Sequence, residues 1–227
     1  MVTAIITDIE GTTTSVSFVY DVLFPYAREH IPSYIKNHSQ QINVIEQLKL
    51  INTEVGRSLS INEAIEQLLQ WMDEDKKITP LKNLQGMIWE DGYKTNGFQG
   101  DVYEDVPANI KKWHDMGVPV YIYSSGSIKA QKLLFSHSIA GDLTPWLSGY
   151  FDTTIGAKKD HQSYLRIAKE INKSPAEILF LSDITDELDA ANQTGMQTVL
   201  LIRNKNDNSF QSDHIFAENF NQIQLNE

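Results

Sequence analysis

Cysteine is missing from all 227 residues, which excludes disulfides and thiolate metal sites alike. There is no apolar run long enough to span a bilayer, and the opening residues MVTAIITDIEG carry no basic leader, so the chain is read as soluble and cytoplasmic. Positive charge is scarce as well: 19 Lys and Arg stand against 30 Asp and Glu, a formal net charge of -11. So acidic a surface repels nucleic acid and anionic membranes, which leaves a small molecule as the expected partner, met by positive charge supplied locally. No internal repeat and no long apolar seam is visible, and a monomer is expected. The polar stretch from Asn204 onward has little to bury and is expected to be partly loose.

What is present is a set of short β-branched runs spaced by helical periods. Ala4 to Thr7, Val118 to Tyr123, Ile178 to Leu181 and Thr198 to Ile202 read as buried strands, with Tyr150 to Thr153 a possible further one. Between them Val106 to Met116, Ile128 to His137, Tyr164 to Ile171 and Glu187 to Gln193 have helical spacing, an alternation that predicts α/β architecture with a parallel sheet. The stretch from Phe18 to Phe98 carries amphipathic helical periods and almost no strand signal. Pro25 can open one helix there, Ser60 with Glu63 forms a capping box for another, and Thr79-Pro80 marks a third. The reading is therefore a core of residues 1–16 and 101–227 interrupted after its first strand by an all-helical insertion, 17–100, with the glycines of Gly97 to Asp101 as the return hinge.

Four polar elements fall at predicted strand ends, where open parallel sheets bind ligands. Asp8 and Glu10, two apart as the first strand ends at Gly11-Thr12, can converge on one centre. A carboxylate attacks phosphorus only if its repulsion with the phosphate is cancelled, and a magnesium ion, which prefers carboxylate, water and phosphate oxygens, would do that. Ser124, Ser125 and Ser127 follow the second run around Gly126, where hydroxyls and free N–H groups can cradle phosphate, although Ser127 reads equally well as a helix cap. Lys158 would supply the fixed cation that an acid-rich phosphate site needs, with Lys159 as its rival. Asp183 ends the Ile178 to Leu181 run, and with Glu187 four residues on it could complete a magnesium site or simply favour the next helix by its dipole.

These elements, in this order, resemble the haloacid dehalogenase superfamily, and Asp8-Ile9-Glu10-Gly11-Thr12-Thr13, VLFPYA from Val22, LQGMIWEDGY from Leu84, YSSGSIKAQ from Tyr123 and FDTTIGAK from Phe151 resemble its enolase-phosphatase branch. The resemblance implies a doubly wound, mostly parallel sheet with an all-helical cap inserted after the first strand. It implies Asp8 as nucleophile and metal ligand, Glu10 as acid/base and metal ligand, Asp183 as the third metal carboxylate, Ser124 and Ser125 as phosphate or substrate contacts, and Lys158 as the holder of phosphate charge. The cofactor implied is Mg2+. The substrate implied is 2,3-diketo-5-methylthiopentyl 1-phosphate, enolised and then dephosphorylated to the acireductone of methionine salvage. The cap is expected to close over the core and to present Tyr93, Trp89 or another aromatic to the substrate. Arg203-Asn204-Lys205-Asn206 departs from the Arg-Pro-Gly-Asn expected there. A different phosphatase or phosphomutase is the alternative, while a phospho-receiver domain would place its aspartate after a middle strand and lack the insertion.

Overall fold

The computed structural model describes residues 1–203 and 213–225, and Asn204 to Asn206 of the departing segment lie outside them. The chain divides into two compact units, one of residues 1–16 and 99–227 and one of residues 17–98.

The first unit is built on strand β1 (Ala4–Thr7), whose four residues are all buried. The second unit follows: a π-helical turn, Phe18–Leu23, runs into α1 (Phe24–His38), then α2 (Ile42–Val55), α3 (Ile61–Asp73) and α4 (Thr79–Lys94). The chain then returns through α5 (Asp105–Asp115), β2 (Val120–Tyr123), α6 (Ile128–Ser136), β3 (Gly149–Phe151), α7 (His161–Glu170), β4 (Ile178–Ser182), α8 (Thr185–Asn192), β5 (Gln197–Leu201) and β6 (Ile215–Ala217). All five strand pairings are parallel, in the order β3-β2-β1-β4-β5-β6. β1 therefore lies beside both β2 and β4, and the order reverses direction at β1 and β4. The crevice beyond the carboxyl ends of those two strands is where doubly wound sheets bind ligands.

Alternation along the strands divides the core between the two sheet faces. Ala4, Ile6, Ile178 and Phe180 face one layer, together with Tyr164 and Ile167 of α7 and Leu188 of α8. Ile5, Leu179 and Leu181 face the other, with Val106, Ile110 and Trp113 of α5 and Phe220. Strand parity places Asp8, two residues beyond Ile6, on the side of Tyr164.

The helical unit has its own core, formed by Ile31, Ile35, Ile51, Leu68, Trp71, Leu84 and Ile88 among others. The capping box is present: Glu63 N–H donates to Ser60 Oγ at 3.3 Å and Ser60 N–H to Glu63 Oε2 at 2.8 Å. A cap of this kind contributes about 1 kcal/mol. α1 starts at Phe24 with Pro25 in its first turn, and Thr79 is the first residue of α4 rather than its cap. The aromatics expected to be presented to a ligand are used internally. Tyr93 is 3% exposed, its ring 4.5 Å from Phe98, and the Trp89 indole N–H donates to the Leu23 carbonyl at 2.8 Å.

Residues 204–212 of the stretch expected to be partly loose lie outside the described residues, but its later part is packed. Beyond the undescribed residues, Ile215–Ala217 joins the sheet beside β5, and Phe220 is fully buried against Trp113 with ring centroids 5.2 Å apart. Apolar side chains in an otherwise polar tail anchor it. Among the described residues no helix is long and apolar enough to cross a membrane.

Candidate active site

β1 ends in Thr7, and the chain enters a tight loop in which the N–H groups of Thr12, Thr13 and Thr14 all point at the Ile9 carbonyl, 2.9 to 3.1 Å away. Thr13 Oγ1 also lies 3.3 Å from the carbonyls of Asp8 and Ile9. The loop turns at Gly11, whose φ is +74°. Glycine is needed there twice over. The backbone is left-handed, and a Cβ would lie 2.0 Å from Asp183 Oδ2, where no side chain fits. Gly11 thus admits the Asp183 carboxylate, carried just beyond β4, against the Asp8 loop.

Asp8 is 2% exposed, and its Oδ1 lies 2.6 Å from Lys158 Nζ. That ammonium is held on its other side by Glu187 Oε2 at 2.7 Å, and the same Glu187 oxygen accepts a hydrogen bond from Ser182 Oγ at 3.0 Å. The main chain leading to Lys158 is equally fixed. Tyr164 donates its hydroxyl hydrogen to the Lys158 carbonyl at 2.7 Å, Ser163 to the Ala157 carbonyl at 2.8 Å, and Tyr123 to the Gly156 carbonyl at 3.0 Å. The rival Lys159 is exposed and pairs with exposed Asp186 at 2.6 Å.

Glu10 turns its side chain toward the β2–α6 loop, where Ser124 Oγ donates to its Oε2 at 3.3 Å. Ser124 is fully buried and also accepts the Gly126 N–H at 3.1 Å, whereas Ser125 is exposed. Ser127 caps α6, accepting the Ala130 N–H at 3.3 Å. Gln131 clamps this loop to β3, donating to the carbonyls of Gly126 and Phe151 at 2.8 Å each.

Four carboxyl groups therefore share one ammonium. Burial, then the charge on Asp8, raises the Asp183 carboxyl from its ordinary range to about 7. Burial followed by Asp8 also raises Glu10 and Glu187. Burial works against the Lys158 ammonium, but Asp8 and Glu187 outweigh it and the group is held firmly protonated. Asp183 Oδ1 is buried and has no hydrogen-bond partner among the described residues. An unpaired buried carboxylate oxygen in a cluster short of positive charge is a place for a hard cation.

Among the described residues no three His, Asp or Glu side chains converge tightly enough to hold a metal by themselves. Mg2+ does not ask for that, because it keeps several waters and is bound through one or two carboxylates plus substrate phosphate. The donor set of Asp8 and Asp183, all oxygen, fits a divalent metal of this kind. A hollow of about 610 Å³ against β3 and α7, lined by Tyr150, Asp152, Thr154 and Arg166, contains none of these carboxylates, so charge rather than concavity locates the site.

Glu187 is the residue whose part the sequence left open: the structure ties it to Lys158 and Ser182. The signal available was a Ser and a Glu five residues apart across a strand-to-helix turn, a spacing that lets the first helical turn fold back on the strand end.

Comparison with known proteins gives a consistent result. The family model of haloacid dehalogenase-like hydrolases matches residues 2–195. Enolase-phosphatase E1 of Azotobacter vinelandii is 54% identical over 203 residues, 89% of each chain. Enolase-phosphatase E1 of a Sulfurihydrogenibium species is 52% identical over 232 residues, 99% of each. The crystal structure of the UTR4 protein of Saccharomyces cerevisiae superposes with a TM-score of 0.86 at 33% identity, covering 98% of this chain and all of that one.

Proposed function

The chain belongs to the haloacid dehalogenase-like hydrolases, in their enolase-phosphatase branch, and from that premise we propose that Asp8 accepts the phosphoryl group with magnesium at Asp8 and Asp183. The reaction converts 2,3-diketo-5-methylthiopentyl 1-phosphate to 1,2-dihydroxy-3-keto-5-methylthiopentene and phosphate. The observation that carries this reading is the charge deficit: Asp8, Glu10, Asp183 and Glu187 around the ammonium of Lys158, the one ammonium in the cluster among the described residues. Such a site is built to receive further positive charge, and then a phosphate between that charge and Lys158.

Magnesium, when bound, supplies Lewis acidity toward the diketone and phosphate oxygens. Glu10 takes a hydrogen from C1 as the substrate enolises, and burial together with Asp8 raises its carboxyl toward the range where this exchange is easy. One Asp8 oxygen then forms a bond to phosphorus as the phosphorus–oxygen bond to C1 breaks, and protonated Glu10 gives its proton to the departing oxygen. Glu10, now a carboxylate, draws a proton from water as that water attacks phosphorus, and Asp8 leaves as the free carboxylate. The C2 enolate oxygen takes up a proton from solvent and Glu10 returns its last proton to solvent, which accounts for both product hydroxyls and restores the starting carboxylate. Lys158 and Ser124 hold the phosphoryl oxygens, with Ser125 available from the exposed side of the same loop. Glu10 was also expected among the metal ligands; its bond to Ser124 favours the proton-transfer role. We further propose a cytoplasmic monomer. A chain without cysteine needs no oxidising compartment to mature, and sedimentation of the purified protein would decide its state.

The test is phosphate release from the diketone phosphate with and without magnesium, by wild type and Asp8→Asn. Wild type should require the metal, and the Asn variant should lose about four orders of magnitude of kcat or more while folding normally, since an amide cannot form the acyl phosphate. Appreciable turnover by folded Asp8→Asn would end the covalent reading.

A further inference from the structure

Arg203 follows β5, and its side chain is only 8% exposed. Two of its N–H groups grip one acceptor: Nε and Nη2 donate to the Thr12 carbonyl at 2.9 and 2.5 Å. Its third nitrogen donates to both oxygens of Asp105 at 2.8 and 2.9 Å. The guanidinium lies over the rings of Tyr103, 4.2 Å from its centroid, and Phe220, 5.1 Å from its centroid. Asp105 in turn accepts the Phe220 N–H at 2.6 Å, and the Tyr103 N–H donates to the Thr13 carbonyl at 3.0 Å. One buried side chain therefore binds the loop after β1, the start of α5 and the C-terminal segment to one another.

Thr12 is one residue past Gly11 and two past Glu10. We propose that Arg203 is a positioning residue for phosphoryl transfer, its two-pronged hold on the Thr12 carbonyl fixing the loop that carries Asp8, Glu10 and Gly11. Arginine suits this and lysine does not. A planar fork can serve the carbonyl and the Asp105 carboxylate at once, whereas a single ammonium cannot span both with the same geometry. Asp105 and the two rings hold the fork. The working contact is the one to Thr12.

This inference rests on the site assignment above, and its test separates the two. Steady-state phosphate release is measured at saturating magnesium for wild type, Arg203→Lys, Arg203→Met and Asp105→Asn, on the diketone phosphate and in parallel on p-nitrophenyl phosphate. Circular dichroism at the assay temperature gives the folded fraction. Displacements of about 1 Å in such a loop cost up to about a hundredfold, so Arg203→Lys, which keeps the charge near Asp105, should lose about tenfold in kcat per folded molecule with KM close to wild type. Asp105→Asn, which keeps the Thr12 contact, should lower the melting midpoint yet hold kcat within about threefold. Arg203→Met should show the larger loss in both properties, and if it fails to fold the Lys variant carries the test alone. A folded Arg203→Lys with kcat within about twofold of wild type would overturn the proposal. Wild type that hydrolyses only p-nitrophenyl phosphate would refute the substrate reading and still report on Arg203.

Discussion

Lys158 and Arg203 are both buried cations beside the loop that follows β1, and they are compensated in opposite ways. Arg203 is balanced: one carboxylate, one carbonyl and two aromatic faces use its charge and its hydrogens. Lys158 is outnumbered, bonded to Asp8 and Glu187 with Glu10 and Asp183 close enough for its charge to act on both. The lesson is that burial of a charge does not by itself mark chemistry. A balanced cation builds the scaffold, whereas a cluster left with excess negative charge is poised for a ligand that brings the missing positive charge.

The comparison breaks most sharply at Lys158→Met. Phosphate release should fall about a thousandfold, as expected when a fixed donor to the transferring group is lost. Asp8 and Glu187 would also be left buried without their ion-pair partner, at a cost of about 3–5 kcal/mol in metal-free protein at neutral pH. Chemical denaturation with and without magnesium checks this, since the added ion should restore part of the stability. If stability is lost but the rate is not, Lys158 belongs with Arg203 as scaffold.

Next in size is Gly11→Ala, which removes no charged group but puts a Cβ against Asp183 Oδ2 and displaces that carboxylate. A loss of about a hundredfold in turnover is expected, with a raised magnesium requirement, because the strained loop and the displaced carboxylate move together. A magnesium titration of turnover measures it. An unchanged requirement would show that Asp183 does not depend on the approach that Gly11 allows.

A third outcome concerns pH. The folded Asp183 carboxyl titrates at about 7, above its value in the unfolded chain, and Glu10 and Glu187 are raised in the same direction. Folding then takes up protons at these three groups, so their contribution to the stability of the metal-free protein is fully present below the unfolded carboxylate range, about pH 4, and is lost as pH rises through about 7. The loss should amount to a few kcal/mol, to be flattened by Asp183→Asn and by saturating magnesium. Denaturant titrations across that range test the sign. A rise in metal-free stability over the same interval would contradict the charge deficit.

How much of this was legible beforehand depends on the distance over which each signal acts. The alternating β-branched and helical runs gave the parallel α/β sheet, and Asp8 and Asp183 stood out because each follows an apolar strand at its carboxyl end. Lys158 and Lys159 are neighbours in sequence, and only burial separates them: α7 carries Tyr164 back over the Lys158 carbonyl and leaves Lys159 in solvent. Arg203 was visible only as the first residue of a segment that departs from the familiar one at Asn204 and Lys205. Its partners, Thr12, Asp105 and Phe220, lie far apart along the chain, and no local period connects them. β6 carries no strand signal in its sequence, because Ile215 and Phe216 are exposed and Ala217 alone is buried, which leaves no alternation.

The smallest effect expected is at Lys159→Ala, which should leave turnover within about twofold, since an exposed ion pair contributes little. The same phosphate assay measures it. A loss like that predicted for Lys158 would move the assignment by one residue.

The sheet order also constrains how the molecule is made. β1 is synthesised before every other strand of its sheet, yet its partners are Val120 to Ile122 on one side and Ile178 to Leu181 on the other. The Asp8 loop therefore exists without its sheet while the whole helical segment and most of the remaining core are synthesised. Pairings so distant in sequence are slow to close and leave a strand that is fully buried in the folded protein exposed in the interval. Truncated chains that end before β4 should consequently bind chaperones or aggregate, whereas chains that include β4 and β5 should acquire protease resistance in the N-terminal strand.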